Sequence, residues 1–201
     1  MEPHCLYNDL LRKGKVMEFG KIRKLFKAPY RIDQPVADID HWINRREGIE
    51  VDLSPDFQRD HVWTENQEKK FVEWILRGGV SGRDIYWNCP GWMQDFRGPL
   101  VLVDGKQRIK AIRRFLAGEI TAFGCFIDEY TDQFYLSTGC SLSFHVANLP
   151  RKVDVLKWYI DLNSGGTVHD PEEIERVRQL LLEQDDYDQY EHGYTYKESL
   201  Y

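Results

Sequence analysis

The sequence has no long hydrophobic run. Its apolar stretches fall well short of the roughly 18 residues that a membrane-spanning helix requires, so no membrane partner is expected. The N-terminus does not resemble a secretory leader either, because Arg12, Lys13 and Lys15 interrupt any apolar segment there. Cysteine is scarce: Cys5, Cys89, Cys125 and Cys140 are never two to four residues apart, which excludes a zinc-knuckle spacing. Without a leader, a disulfide framework is not expected in a chain of this size. The histidines (His4, His41, His61, His145, His169 and His192) show no metal-ligand spacing and read as structural or surface residues. There is no internal repeat and no low-complexity tract. These absences together predict a soluble, cytoplasmic protein.

What is present is enough apolar material for a real core. The 201 residues are 42% hydrophobic and 13% aromatic, which fits one domain, or one domain with an appendage. The net charge of −6 is unevenly placed. Residues 1–31 hold eight Lys/Arg against three Asp/Glu, and residues 170–201 hold three against ten. Such polarity fits a basic arm for nucleic acid and an acidic tail for a protein partner. It fits two solvated ends equally well. The expected division is a basic arm at 1–34, a domain at 35–182 and an acidic, Tyr-rich tail at 183–201.

Hydrophobic spacing predicts the elements. Residues 1–30 carry a weak helical pattern. Val36, Ile39, Trp42 and Ile43 recur at helical spacing, with Gly48 as the stop. Ile49–Leu53 alternates as a half-buried strand does. Thr64 caps a helix that runs to about Leu76, with Gln67 completing a capping box. Ile85–Trp87 and Leu100–Val103 read as strands. Gly105 turns the second of these into a helix reaching about Leu116. Thr121–Ile127, Gln133–Leu136 and Leu142–Val146 are also read as strands. Pro150 is expected at the first position of a helix that ends near Leu162. Asn163-Ser164-Gly165-Gly166 is read as a loop. Asp170-Pro171-Glu172-Glu173 starts a last helix carrying Ile174, Val177 and Leu181, and the final twenty or so residues are read as a loosely held tail.

Three clusters carry chemistry. In Val103-Asp104-Gly105-Lys106-Gln107-Arg108 a buried strand runs straight into a helix. The first helical turn leaves backbone N–H groups unpaired and bears partial positive charge. Gly105 lets a ligand approach closely, Lys106 and Arg108 are cationic, and Gln107 adds an amide. A phosphate fits such a place, and Asp104 could hold a divalent metal or orient a water. Asp-Gly is equally an ordinary turn dipeptide. The second cluster, Pro55 to Trp63, sets Gln58 and Arg59 beside aromatic residues. That suits a phosphate or a base, or simply a core plug with a local ion pair. The third, Asn163 to Thr167, is a donor-rich loop able to form an anion nest, or a plain helix end and linker.

Together the clusters resemble a known family. Phe57-Gln58-Arg59 with Val62-Trp63 resembles its (F/Y)-Q-R-x-x-V-W element. Val103 to Arg108 resembles its (I/V)-D-G-Q-Q-R signature, and Asn163-Ser164-Gly165-Gly166-Thr167 resembles its Asn-x-x-Gly loop. Order and spacing agree over about residues 35–182. This is the N-terminal domain of GmrSD-type modification-dependent restriction enzymes, within the ParB/sulfiredoxin-like superfamily. The resemblance implies an α+β fold, a small mixed sheet with flanking helices. It also implies a site that handles a nucleoside triphosphate (NTP). By position, Asp104, Gln107 and Arg108 would be catalytic. Gly105, Lys106, Arg108, Gln58, Arg59 and Asn163 would hold phosphate or nucleotide, and Asp104 would hold Mg2+. Lys106 stands where the signature has Gln, which favours phosphate binding over water positioning. No His-Asn-His nuclease segment is found, so the chain resembles the stand-alone versions carried by phages and mobile elements.

Two functions are expected to compete. One is a metal-dependent hydrolase, an NTPase or DNA nuclease in phage–host conflict. The other is a non-catalytic switch that binds nucleotide or DNA and engages a protein partner through its charged ends. A weaker third reading is an acidic protein that antagonises a DNA-binding partner through residues 183–198.

Overall fold

A computed structural model describes residues 30–44, 49–58, 60, 62–92, 98–164 and 171–192. Its centre is a five-stranded mixed sheet in the order β1-β5-β3-β4-β2. The strands are β1 (Tyr30–Pro35), β2 (Val51–Asp52), β3 (Asp84–Asn88), β4 (Leu100–Asp104) and β5 (Ser141–Ala147). β1 runs antiparallel to β5, β5 parallel to β3, β3 antiparallel to β4, and β4 parallel to β2. The helices are α1 (Ile39–Asn44), α2 (Glu65–Leu76), α3 (Lys106–Leu116), α4 (Tyr135–Thr138), α5 (Lys152–Ser164) and α6 (Pro171–His192).

Strand alternation gives the sheet two apolar faces. Ile85, Trp87, Leu100, Leu102, Leu142 and Phe144 form one core with apolar residues of α1, α2 and α3. Trp42 packs edge-on to Phe144 at 4.6 Å and tilted on Trp87 at 5.4 Å, which fixes α1 against the sheet. On the other face Val103 and Ala147 join Leu156 and Trp158 of α5 and Val177 of α6. Each large side chain so buried contributes about 1.5–3 kcal/mol of transfer free energy.

The register between β3 and β4 slips: Tyr86 faces Asp104, while the next residue, Trp87, faces Leu102. Val103 is therefore the extra residue of a bulge. The bulge brings Asp104 onto the side of Tyr86, where strict alternation would have turned it to the opposite face.

Several expectations are met. Thr64 caps α2, and the reciprocal bond from the Thr64 N–H to Gln67 is present at 2.8 Å. α3 begins directly after Gly105. Others need correction. Thr121–Ile127 is not a strand. Phe123 and Gly124 both have positive φ, 50° and 80°, and reverse the chain between the bridged residues Ala122 and Cys125. Gln133–Leu136 is not a strand either, because Tyr135–Thr138 is a short helix in which only Leu136 is buried. Pro150 precedes α5 by two positions, and Arg151 pairs at 2.9 Å with Asp154 across the helix start. Asn163 and Ser164 still belong to α5, and α6 continues through His192. Residues Tyr30–Gln34, assigned by sequence to the arm, form β1 together with Pro35. The expected stop at Gly48 and the loop residues Gly165–Thr167 lie outside the described residues. Among the described residues, no helix is long and apolar enough to cross a membrane.

Candidate functional site

The candidate site is built where β4 passes through Gly105 into α3. Gly105 adopts φ 106°, a conformation that side chains resist. Its Cα also lies so close to β3 that an added Cβ would stand 2.5 Å from Ile85 Cδ1. Only glycine gives this sharp turn at this separation.

The residues after Gly105 divide by direction. Arg108 turns back to the sheet. Its guanidinium pairs with the Asp104 carboxylate at 2.9 Å, one helical turn away, and donates to the Asp84 carbonyl. The Asp84 carboxylate in turn meets His145 Nε2 at 2.7 Å, and the His145 ring stacks on Tyr86 at 4.9 Å. Burial pushes the Tyr86 hydroxyl above its ordinary pKa, and the Asp84 and Asp104 carboxylates add to the shift.

Gln107 points at the loop before α2. Its carbonyl oxygen accepts from the Val62 and Trp63 amides at 3.1 and 3.2 Å, and its amide nitrogen donates to the Asp60 carbonyl at 3.3 Å. Gln58 pins the same loop from its other end by donating to the Leu102 carbonyl at 2.6 Å. Phe57 is buried against Tyr159, and Arg176 of α6 donates to the Asp56 and Phe57 carbonyls at 2.7 and 2.8 Å. The two glutamines thus clamp the Pro55–Trp63 loop onto the strand–helix turn. Arg59 lies outside the described residues. Asn163 is buried and donates to the Tyr159 carbonyl at 2.7 Å within α5.

Lys106 faces the other way, into a groove of about 580 Å³ beside α3. Lys110, Arg113 and Ala117 follow it along that wall at helical spacing, and Leu53, Ser54 and Leu102 line it as well. Arg113 is paired with Asp40 at 2.7 Å. Arg114 is held by Glu119 at 2.9 Å and by the fully buried Glu68. Lys110 is exposed.

Residues 39–192 match the family described as GmrSD restriction endonuclease, N-terminal domain. The chain belongs to this family. Among solved structures, the GmrSD N-terminal domain described here is similar to the C-terminally truncated chromosome-partitioning protein ParB from Caulobacter crescentus, complexed with CTP-gamma-S. The identity is 16%, over 78% of this chain and 65% of that chain, with a TM-score of 0.38. The chain thus spans slightly less than two thirds of the length of that truncated chain. No curated protein matches.

Within this GmrSD N-terminal domain, Lys106 is the residue of the Asp104–Arg108 element that lines the groove. The Asp104, Gln107 and Arg108 side chains bond within the fold around it. The sequence reading missed Lys110 as a groove residue, although its position four after Lys106 puts it on the same helical face. It also missed Asp84 and His145, which are 61 residues apart and meet only through the β3–β5 register. Among the described residues no group of three His, Cys, Asp or Glu could hold a metal ion. Asp104, with one oxygen on Arg108, does not by itself make a resident Mg2+ site.

Proposed function

We propose that this domain binds the phosphates of a nucleoside triphosphate in the groove beside α3, as the nucleotide-engaging part of a restriction-type system. The observation that carries the reading is the groove itself. It opens on Lys106 at the start of a helix, has Lys110 on the same wall, and is floored by Leu53, Leu102 and Ile109. Its volume lies within the range of small-molecule sites, roughly 300–1,000 Å³. A helix start and two lysines attract phosphate oxygens. The apolar floor suits a base.

On this reading Gln58, Gln107 and Arg108 are positioning residues that fix the loop and the helix start. Mg2+ enters as the counter-ion of the nucleotide. Two outcomes follow binding: phosphoanhydride hydrolysis, or a binding-only switch. The internal pairing of Asp104, Gln107 and Arg108 favours the switch, because none of the three side chains is left poised over the groove.

The test is calorimetric titration of an NTP panel with Mg2+, run beside a phosphate-release assay and plasmid nicking. Binding that Lys106→Ala weakens supports the site, and turnover then decides between hydrolase and switch. Nucleotide binding that Lys106→Ala and Lys110→Ala leave untouched would remove the groove from consideration. If DNA is the ligand, affinity should fall linearly on a log–log plot against salt.

A further inference from the structure

We propose that the aromatic end of the domain, around Phe123, Phe134 and Tyr135, docks a basic segment of a partner protein that inserts one apolar side chain. This surface is independent of the groove. It lies at the C-terminal ends of α2 and α3, about 16 Å along α3 from Gly105 at 1.5 Å per residue.

A cavity of about 200 Å³ opens there between Leu76, Phe115, Ile127, Tyr130 and Leu136. That is too small for a nucleotide-sized ligand, whose sites start at roughly 300 Å³, and it suits a single side chain. Its surroundings are apolar and exposed: Phe134 is 73% accessible, Phe123 44% and Tyr135 43%. Single exposed aromatics are ordinary, but a cluster around a cavity marks an interaction surface.

Phe123 adds a second observation. It holds φ 50°, a left-handed conformation that side chains other than glycine resist. The Glu73 carboxylate keeps it there by accepting the Phe123 N–H at 2.8 Å. The ring is presented outward at a cost that glycine would avoid.

Charge chooses the partner. From Phe115 to Pro150 the chain has no Lys or Arg; Glu119 is paired with Arg114, which leaves Asp128, Glu129 and Asp132 as the acidic groups of this end. Asp132 lines the cavity and is exposed, Asp128 is exposed next in sequence to the lining residue Ile127, and the cation at this end, Arg77, is drawn over the Phe123 ring at 5.0 Å. Such a surface repels nucleic acid and anionic lipid and attracts a cationic polypeptide.

The experiment titrates the full chain with three fluorescent nonapeptides. One is Lys/Arg-rich with a central Phe, one has Ala in place of that Phe, and one is Glu/Asp-rich with a central Phe. The basic Phe peptide should bind at least about tenfold more tightly than the other two, since a buried Phe and several charge pairs are at stake. Phe134→Ser and Asp132→Asn should each weaken it by about threefold or more while unfolding curves stay unchanged. Equal binding of the two basic peptides, equal binding of the acidic one, or indifference to both substitutions overturns the proposal. So does a dimer in sedimentation that Phe134→Ser dissolves, because the patch would then serve a second copy of the chain.

Discussion

Replacing Gly105 with alanine tests the turn on which the site is built. The backbone there sits at φ 106°, and a left-handed φ costs a non-glycine residue about 1–2 kcal/mol. The new Cβ would lie 2.5 Å from Ile85 Cδ1, 3.2 Å from its Cγ2 and 3.4 Å from its Cα. Ile85 is fully buried, so its side chain has little room to move, and overpacking of this kind costs about 1–3 kcal/mol. Gly105→Ala should therefore lose about 2–5 kcal/mol. At about 2–4 °C per kcal/mol for a chain of this size, Tm should fall by roughly 4–20 °C. Urea and thermal unfolding followed by circular dichroism give both numbers. Ile85→Val removes Cδ1 and costs about 0.5–1.5 kcal/mol alone. In that background Gly105→Ala should be cheaper by about 1–2 kcal/mol, a coupling that a double-mutant cycle reads directly. A Gly105→Ala protein within about 0.5 kcal/mol of the parent, or a strictly additive double mutant, would refute the reasoning.

Four further outcomes are expected. Gln107→Ala removes the acceptor of two loop amides, so hydrogen exchange at Val62 and Trp63 should quicken by about fivefold for each kcal/mol lost. Arg108→Ala unpairs Asp104 and the Asp84 carbonyl and should cost about 1–3 kcal/mol in urea unfolding, with Arg108→Lys intermediate. The Ser143 hydroxyl, and then Arg31, hold the Asp33 carboxyl below its ordinary pKa. The folded value is the lower one, so the associated stability is present above about pH 3.9 and is lost as pH falls through the folded pKa. Carboxyl NMR titration should show Asp33 rising toward its ordinary value in Ser143→Ala. Burial pushes the Cys140 thiol up, so mass-spectrometric alkylation at mildly alkaline pH should modify the partly exposed Cys125 well before Cys140.

Local chemistry made much of this legible from sequence. Thr64 with Gln67 announces the start of α2, because a capping box satisfies two helix-end groups by itself. The apolar run Leu100–Val103 followed by Gly105 announces the strand–turn–helix, because the turn needs positive φ. The family assignment followed from the same residues. What failed depended on distant partners. Thr121–Ile127 has the composition of a strand but pairs only with itself, through the bridge between Ala122 and Cys125. β1 was invisible because its alternation, with Ile32 and Gln34 facing inward, is short and mixed with charge. The site divided in a way that composition could not reveal. Lys106, Gln107 and Arg108 are consecutive, yet they point 100° apart around a helix. One meets the groove, one the Pro55–Trp63 loop and one the sheet. Asp84 and His145 belong to that last contact and meet only because β3 and β5 are neighbours.

The most direct measurement is a crystal structure of the protein soaked with a non-hydrolysable NTP analogue and Mg2+. Triphosphate density against the first turn of α3, with an oxygen bonded to Lys106 Nζ and the base over Leu53 and Ile109, is the expected result. Full occupancy of the analogue elsewhere, with the α3 groove empty, would contradict it.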